Sequence, residues 1–200
     1  MKNQILASPN SIIWHYLSGL RRNCQRCINE KNPDYQKEDA AQCVMLSVTI
    51  VDAFLNLYFQ VFVNTEKYNH AKDKFDSDLK RKISIDQKIK EWPKLIFGNQ
   101  IDLGQGSAQR FYTLKNKRNA LVHFSSSFER LNISNIVLNG LADISQYTSL
   151  TPQDAIDAVA ATEDFMREVF RVSGTSEENI PHEMHLWAGT VSVKDMLNPY

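Results

Sequence analysis

The residues best suited to chemistry lie in one short stretch of the chain, residues 115–124. Within it Arg118 is followed directly by Asn119 and, after three more residues, by His123. A guanidinium keeps its charge and binds two phosphate oxygens through its planar fork. An imidazole can take or give a proton near neutral pH. The pair therefore indicates phosphate chemistry in which one group stabilises charge and the other moves a proton.

The helix that must position this motif is predicted to begin at Ser107 and to end at Ser125–Ser127. Its periodicity places Arg118 on the same face as a set of apolar residues, so the guanidinium is predicted to face the core. These apolar residues are Phe111, Leu114, Leu121 and Val122.

The spacing of the motif sets a geometric condition. An ideal helix turns about 100° per residue, so Arg118 and His123 lie about 140° apart, whereas Asn119 and His123 share a face. Arg118 and His123 can therefore meet in one of three ways. The arginine side chain bends around, the helix ends after Val122, or a second subunit completes the site. This geometry favours a dimer.

The preceding long helix, predicted over residues 36–64, is apolar almost all round and should be central and buried. Its polar residues form one narrow line at helical spacing: Thr49, Asp52, Asn56 and Gln60. A buried carboxylate needs a charged partner, because burying an unpaired charge is too costly. We expect Arg118 to be the partner of Asp52. The alternative is that this line faces water.

The remaining helices are marked by their start and stop residues. Ser8 and Pro9 begin a first helix, and Thr151 and Pro152 begin a last one. The charged segment 66–92 predicts one or two outer amphipathic helices. The other expectations are a stop or kink at Trp92–Pro93, a short helix around Ile133–Leu141, a turn at Asn139–Gly140 and a last helix that ends near Gly174.

Composition agrees with an all-α fold. Glycine and proline are few, 7 and 6, and hydrophobic residues make up 42% of the chain, enough for a sizeable core. The sequence predicts an up-and-down bundle of four to five main helices over residues 1–173, with short accessory helices. Residues 174–200 are predicted to be a C-terminal tail or extension.

Overall charge gives no argument for nucleic-acid binding, because 23 basic residues balance 23 acidic ones. A binding site for nucleic acid would have to be a local basic patch. The strongest local run is Lys80-Arg81-Lys82, which is either a solvated helix face or a patch that guides RNA.

Two further motifs could bind metal. Cys24 and Cys27 have C-x-x-C spacing, but the chain supplies no second ligand pair for it, so a structural role is favoured. His182 and His185 are one residue short of the spacing found in zinc proteases. We expect no metal and no cofactor.

From the sequence alone we expect no signal peptide, and we find no apolar run long enough to cross a membrane. With its reduced cysteines, the protein is expected to be cytoplasmic, with no membrane partner.

The motif Arg118-Asn119…His123 resembles the Arg-x4-6-His motif of the HEPN superfamily. Members of that superfamily are bundles of about four or five helices, with the motif near the end of a late helix. Many also carry an acidic residue on the long second helix. Val51-Asp52-Ala53-Phe54-Leu55-Asn56 fits that context, with Asp where Glu is commoner. The resemblance covers roughly residues 8–172.

This resemblance implies a metal-independent endoribonuclease that acts as a homodimer, with two motifs in one cleft. His123 would move the proton of the RNA 2′-OH, and Arg118 would stabilise the phosphate. Asn119 would hydrogen-bond the phosphate or orient the imidazole, while Asp52 and Asn56 would support the site. Such enzymes serve in toxin–antitoxin or phage-defence systems, which implies a cognate antitoxin protein as partner.

Some members of the superfamily are non-catalytic dimerisation or RNA-binding modules, which provides an alternative. In that case Arg118 and Asp52 would only lock two helices together. His123 would be a helix-end histidine that interacts with C-terminal carbonyls.

Overall fold

A computed structural model describes residues 7–123, 131–133, 136–138 and 143–189. Over these ranges the chain is helical, apart from one two-stranded ribbon, which confirms the all-α prediction. The α-helices are α1 (Pro9–Asn29), α2 (Pro33–Val63), α3 (Lys72–Arg81), α4 (Ile85–Phe97), α5 (Gly106–Val122), α6 (Ser145–Thr148), α7 (Pro152–Val172) and α8 (Ile180–Ala188). A 3₁₀ helix, Glu66–Ala71, precedes α3.

The long helix α2 is the centre of the bundle. It packs against α1 and α7 most extensively, and also against α4 and α5. Its apolar side chains are buried on several sides, as the sequence predicts: Val44, Val48, Ile50, Val51, Phe54, Leu55 and Phe59 among them. A helix that is hydrophobic all round can be stable in water only if other helices cover it. This requirement explains why α1, α4, α5 and α7 surround α2.

By length and composition alone, α2 could cross a membrane, although no apolar run of that length was apparent in the sequence. Half of its most apolar window is buried inside the bundle. The core helix of a folded domain passes the same test, because it too must be apolar on most sides.

The predicted helix starts are confirmed where local chemistry defines them. Ser8 precedes α1, and Pro9 occupies its first turn. Thr151 caps α7 and forms a capping box with Asp154. The start of α5 is different, because the helix begins at Gly106 after Gln105, one residue before the predicted cap at Ser107.

The stop predicted as one alternative at Trp92–Pro93 does not occur, because α4 continues through Pro93 to Phe97. Proline within a helix removes one backbone hydrogen bond. Trp92 and Ile96 are buried on either side of it, and this packing offsets the missing bond. A capping box of Ser84 and Gln87 also stabilises the beginning of this helix.

A short β-ribbon replaces the helix predicted around residues 133–141. Strand β1 (Leu131–Ile133) pairs antiparallel with β2 (Ile136–Leu138). Its sequence is rich in β-branched residues, which favour strands, and this local preference outweighs the weak helical periodicity. The turn predicted at Asn139–Gly140 lies outside the described residues.

Residues 180–188, assigned from the sequence to the C-terminal extension, form helix α8, which packs on α1 and α7. Trp187 is buried against the aromatic rings of Phe54 and Tyr58, with ring centroids 5.4 Å apart in both pairs. His182 and His185 are on this helix rather than in a loop, and both are exposed. The core therefore continues to the end of α8.

A buried ion pair joins helices α1, α7 and α8. Arg21 of α1 donates two hydrogen bonds to Glu163 of α7, at 2.7 and 3.0 Å, and both side chains are almost fully buried. The same guanidinium donates to the backbone carbonyl of Ala188, the last residue of α8. A cation at a helix C-terminus is favourable, because the last carbonyls carry partial negative charge. Arg21 thereby fixes α8 against α1 and α7.

We expect Arg21→Met to lower the free energy of unfolding by about 3 kcal/mol, because buried Glu163 would lose both hydrogen bonds to Arg21 and keep only the 3.6 Å ion pair with Arg167. Urea denaturation measures this change. The double variant Arg21→Met/Glu163→Leu should recover much of the loss. Arg171→Ala is the control, since it removes an exposed pair with Glu177 and should cost less than about 1 kcal/mol. A double variant as unstable as the single one would contradict this account.

Candidate functional site

A polar cleft of about 410 Å³ opens where α2, the beginning of α4 and the second half of α5 meet. It brings together three of the predicted site residues: Arg118 and Asn119 from α5 and Asp52 from α2. The other lining residues are Val48, Thr49, Ile83, Ser84, Ile85, Asp86 and Lys115. The sequence motif therefore lies beside an open space and not in a sealed core.

Arg118 has no carboxylate within ion-pair distance in the part of the chain that the structure describes. It is half-buried, and its Nη1 donates a hydrogen bond of 3.1 Å to Oδ1 of its neighbour Asn119. This contact uses one of the five N–H donors of the guanidinium and occupies the oxygen of the Asn119 amide, so the amide nitrogen can donate to a ligand. Arg118 is therefore a cation that can accept an anion from solution.

The predicted pairing of Arg118 with Asp52 was wrong, because Lys88 of α4 takes that place. The Lys88 ammonium donates to Asp52 at 2.7 Å and to Asn56 at 2.8 Å. Lys88 itself is buried, and its Nζ lies 5.4 Å from the centre of the Trp92 ring. A buried ammonium requires such acceptors, since an unpaired charge there is costly.

The polar line on α2 therefore combines the two alternatives that the sequence left open. Its middle residues, Asp52 and Asn56, are partly buried and bind the buried ammonium of Lys88. Its end residues, Thr49 and Gln60, are exposed to water. Asn56 supports the site indirectly, because it holds the lysine that holds Asp52.

Sequence reasoning also missed Lys115, a second buried lysine, which lines the cleft. The Nζ of Lys115 donates to both carboxylate oxygens of Asp86 at 2.6 Å and lies 4.3 Å from the centre of the Tyr112 ring. One signal was present in the sequence: Lys115 is three residues before Arg118 and shares its side of α5. Asp86, on another helix, could not be matched to it from spacing alone.

His123 is placed apart from these groups. Helix α5 ends at Val122, and His123 follows as the C-cap, with φ of −104° and ψ of 73°. Its backbone N–H donates to the Asn119 carbonyl at 2.8 Å, while the residue is exposed and is not among those lining the cleft. The helix thus ends after Val122, as one of the three alternatives proposed, but His123 is not among the residues that line the cleft of one chain.

The electrostatics of the cleft favour an anion. Lys88 and Lys115 are each neutralised by one carboxylate, Asp52 and Asp86, while the charge of Arg118 remains. The first residues of α4 also face the cleft, and the beginning of a helix carries partial positive charge. The arrangement can bind a phosphate group beside Asn119.

The cysteines do not form a second site. Cys24, Cys27 and Cys43 are buried and unbridged. Burial is the main cause that raises the pKa of Cys24 to about 11, with the neighbouring Cys27 adding to it, and burial also raises the pKa values of Cys27 and Cys43. High-pKa thiols are poor nucleophiles and poor metal ligands at neutral pH. Across the described residues no group of three or more His, Cys, Asp or Glu is arranged to hold a metal ion.

Comparison with models of protein families, with curated proteins and with solved structures found no match for this chain.

The observed pairing reverses one expectation about stability. Asp52→Ala should lower the free energy of unfolding by about 1 to 3 kcal/mol, because the buried ammonium of Lys88 loses its carboxylate partner. Arg118→Ala should change it by only about 0.5 kcal/mol, because no carboxylate among the described residues depends on Arg118. Chemical denaturation of the two variants compares them directly. A larger loss for Arg118→Ala would show that Arg118 carries a structural ion pair after all.

We expect native protein at pH 8 to react slowly with an aromatic disulfide reagent at all three thiols, since they are buried and their pKa values are raised. In denaturant the thiols should react at the rate of a free cysteine. The absorbance of the released thiolate follows both reactions. Fast modification of one thiol in the native state would contradict their structural role.

Proposed function

We propose that this protein is a metal-independent endoribonuclease of the HEPN type. The observation that carries the proposal is the cation in the cleft: among the described residues Arg118 has no carboxylate partner, whereas Lys88 and Lys115 are both paired. A half-buried guanidinium that is open to solvent is suited to bind phosphate. The helical bundle and the position of the motif at the end of α5 support the HEPN reading.

In the proposed reaction the 2′-oxygen of RNA attacks the adjacent phosphorus as the bond to the 5′-oxygen breaks. The products are a 2′,3′-cyclic phosphate and a free 5′-hydroxyl. Arg118 and the Asn119 amide nitrogen donate hydrogen bonds to the phosphate oxygens as negative charge builds on them. His123 takes the proton of the 2′-OH or gives one to the leaving oxygen. Each of these groups acts without a metal.

The position of His123 supports a homodimer. His123 does not line the cleft of its own chain. Either a second copy brings its His123 to Arg118, or the RNA bound to one chain contacts both Arg118 and His123 of that chain. Exposed apolar side chains flank this region: Val122 at the end of α5 and Met45, one turn before the cleft residue Thr49 on α2. Burying such side chains between two copies would stabilise the dimer.

A cellular role in toxin–antitoxin or phage-defence systems, in the cytoplasm and under control of a cognate antitoxin, is part of this proposal. It rests on the HEPN resemblance alone.

A second candidate is a non-catalytic HEPN-like module for dimerisation or RNA binding. The same observation on His123 favours it, since the imidazole is exposed beyond the helix end and does not line the cleft. In this case Arg118 would bind RNA phosphate and no bond would break. The two candidates share the cleft and differ in whether His123 is needed.

Cleavage of generic RNA in EDTA tests the proposal. We expect Arg118→Ala and His123→Ala each to lower the rate by about 100-fold or more, because each removes one catalytic group. Arg110→Ala and His185→Ala are matched controls, since Arg110 is on α5 but pairs with Asp164 and His185 is an exposed histidine on α8. RNA binding without cleavage by the wild type would favour the module.

Mixing the two inactive variants separates a site shared between subunits from two independent ones. If Arg118 of one copy works with His123 of the other, a mixture of Arg118→Ala and His123→Ala chains should regain part of the wild-type activity. If both groups come from one copy, the mixture should stay inactive, because one chain lacks Arg118 and the other lacks His123.

A further inference from the structure

One wall of the cleft continues directly into the most basic run of the sequence. Ile83, Ser84, Ile85 and Asp86 line the cleft, and Lys80-Arg81-Lys82 immediately precede them at the end of α3. We call residues 80–82 the cationic rim. Consecutive Cα atoms are about 3.8 Å apart, so the backbone of Lys82 lies next to a cleft residue.

All three side chains of the cationic rim are exposed. Within the described ranges none of them lies within ion-pair distance of a carboxylate, although acidic residues are frequent on α3. Lys74 of the same helix, by contrast, is paired with Asp78. The rim is therefore a local excess of positive charge on a chain whose total charge is zero.

The backbone at Lys82 costs free energy. Lys82 has φ of 53° and ψ of 52°, and it is the one non-glycine residue with positive φ in the described part of the chain. It ends α3 in a left-handed turn, with its N–H bonded to the Leu79 carbonyl and that of Ile83 bonded to the Asp78 carbonyl. Glycine is the usual residue in such a turn, because it has no Cβ to clash. A lysine there is strained, and strain in a native structure often marks a functional site.

From these observations we propose that the cationic rim binds the backbone of single-stranded RNA and guides it into the cleft at Arg118. This inference rests on the proposed function, since it names the form of RNA that the same cleft takes. The rim would bind phosphates flanking the one held by Arg118. Lys82 places a positive charge next to the cleft residue Ile83, whereas a glycine at this position would form the same turn without a charge.

The hydrogen-bonding groups of the cleft favour a single strand over a duplex. Asp52 gives only one of its carboxylate oxygens to Lys88, and the other has no hydrogen-bond partner among the described residues. A carboxylate oxygen of this kind can accept a hydrogen bond from the edge of an unpaired base, whereas the base edges in an RNA duplex are engaged in pairing or lie in a groove that side chains do not read.

A purely structural explanation for the rim also exists. Basic residues in the last turn of a helix interact favourably with its C-terminal carbonyls, and α3 ends in Lys80 and Arg81. This explanation predicts that replacing rim residues changes stability and leaves RNA binding alone. The two explanations therefore predict different results for the same variants.

The contribution of the cationic rim is measured as the affinity for a labelled 2′-O-methyl RNA strand of about 12 nucleotides. This strand cannot be cleaved, because it has no free 2′-OH. We expect Lys80→Ala/Arg81→Ala/Lys82→Ala to weaken binding about tenfold at low salt. It should also make the slope of log affinity against log salt shallower by about 2, since each lost phosphate contact contributes about 0.7.

The matched control is Arg22→Ala/Lys31→Ala/Lys67→Ala, which removes the same charge from exposed residues that do not line the cleft. Equal weakening by the rim and control variants would overturn the proposal, as would binding of the duplex form of the strand as tightly as the single strand. If the wild type does not cleave RNA but its RNA binding depends on the rim, the proposal for the rim is supported and the proposed catalysis is rejected.

Lys82→Gly gives the sharpest single test. Glycine relieves the left-handed strain, so the Tm should rise by about 2 to 4 °C, while the affinity for the strand should fall about threefold. Lys82→Asn is the companion variant, because asparagine tolerates this backbone and also removes the charge. A rise in Tm with unchanged affinity for both variants would overturn the role in RNA binding that we give to the strained Lys82.

Discussion

The fold depends on burying α2, a helix that is apolar on almost every side but carries a carboxylate and an amide along one line. Asp52 and Asn56 on that line accept the ammonium of Lys88, which is buried and would be costly without them. Lys88 is on α4, so the same contact holds α4 against α2, and the beginning of α4 forms one wall of the cleft. The electrostatic need of the buried lysine and the shape of the candidate site thus have a common origin.

A consequence of this pairing is that Arg118 has no ion-pair partner among the described residues. In the predicted arrangement Arg118 would have neutralised Asp52. In the observed one Lys88 and Lys115 neutralise Asp52 and Asp86, so the scaffold is balanced without Arg118. The positive charge that remains faces an open cleft, where a phosphate would complete the balance.

Two charged clusters of the molecule contrast in how their charges are paired. Beside α8, Arg21 and Glu163 are buried together and hold the helices against one another. At the end of α3, Lys80, Arg81 and Lys82 remain exposed and are not paired among the described residues, and they directly precede residues that line the cleft. Exposed, unpaired cations add little to stability, and they remain available for a negatively charged ligand.

The sequence by itself determined the features that depend on neighbouring residues. Helical periodicity made α2 the buried helix, and the short-range chemistry of Ser8 and Thr151 set where α1 and α7 begin. Only the tertiary structure decided which charges meet, because Lys88 and Asp52 are separated by 36 positions and many lysines could have served. It also decided that α4 continues through Pro93, since burial on both sides outweighs one missing hydrogen bond, and that His123 lies outside the cleft of its own chain.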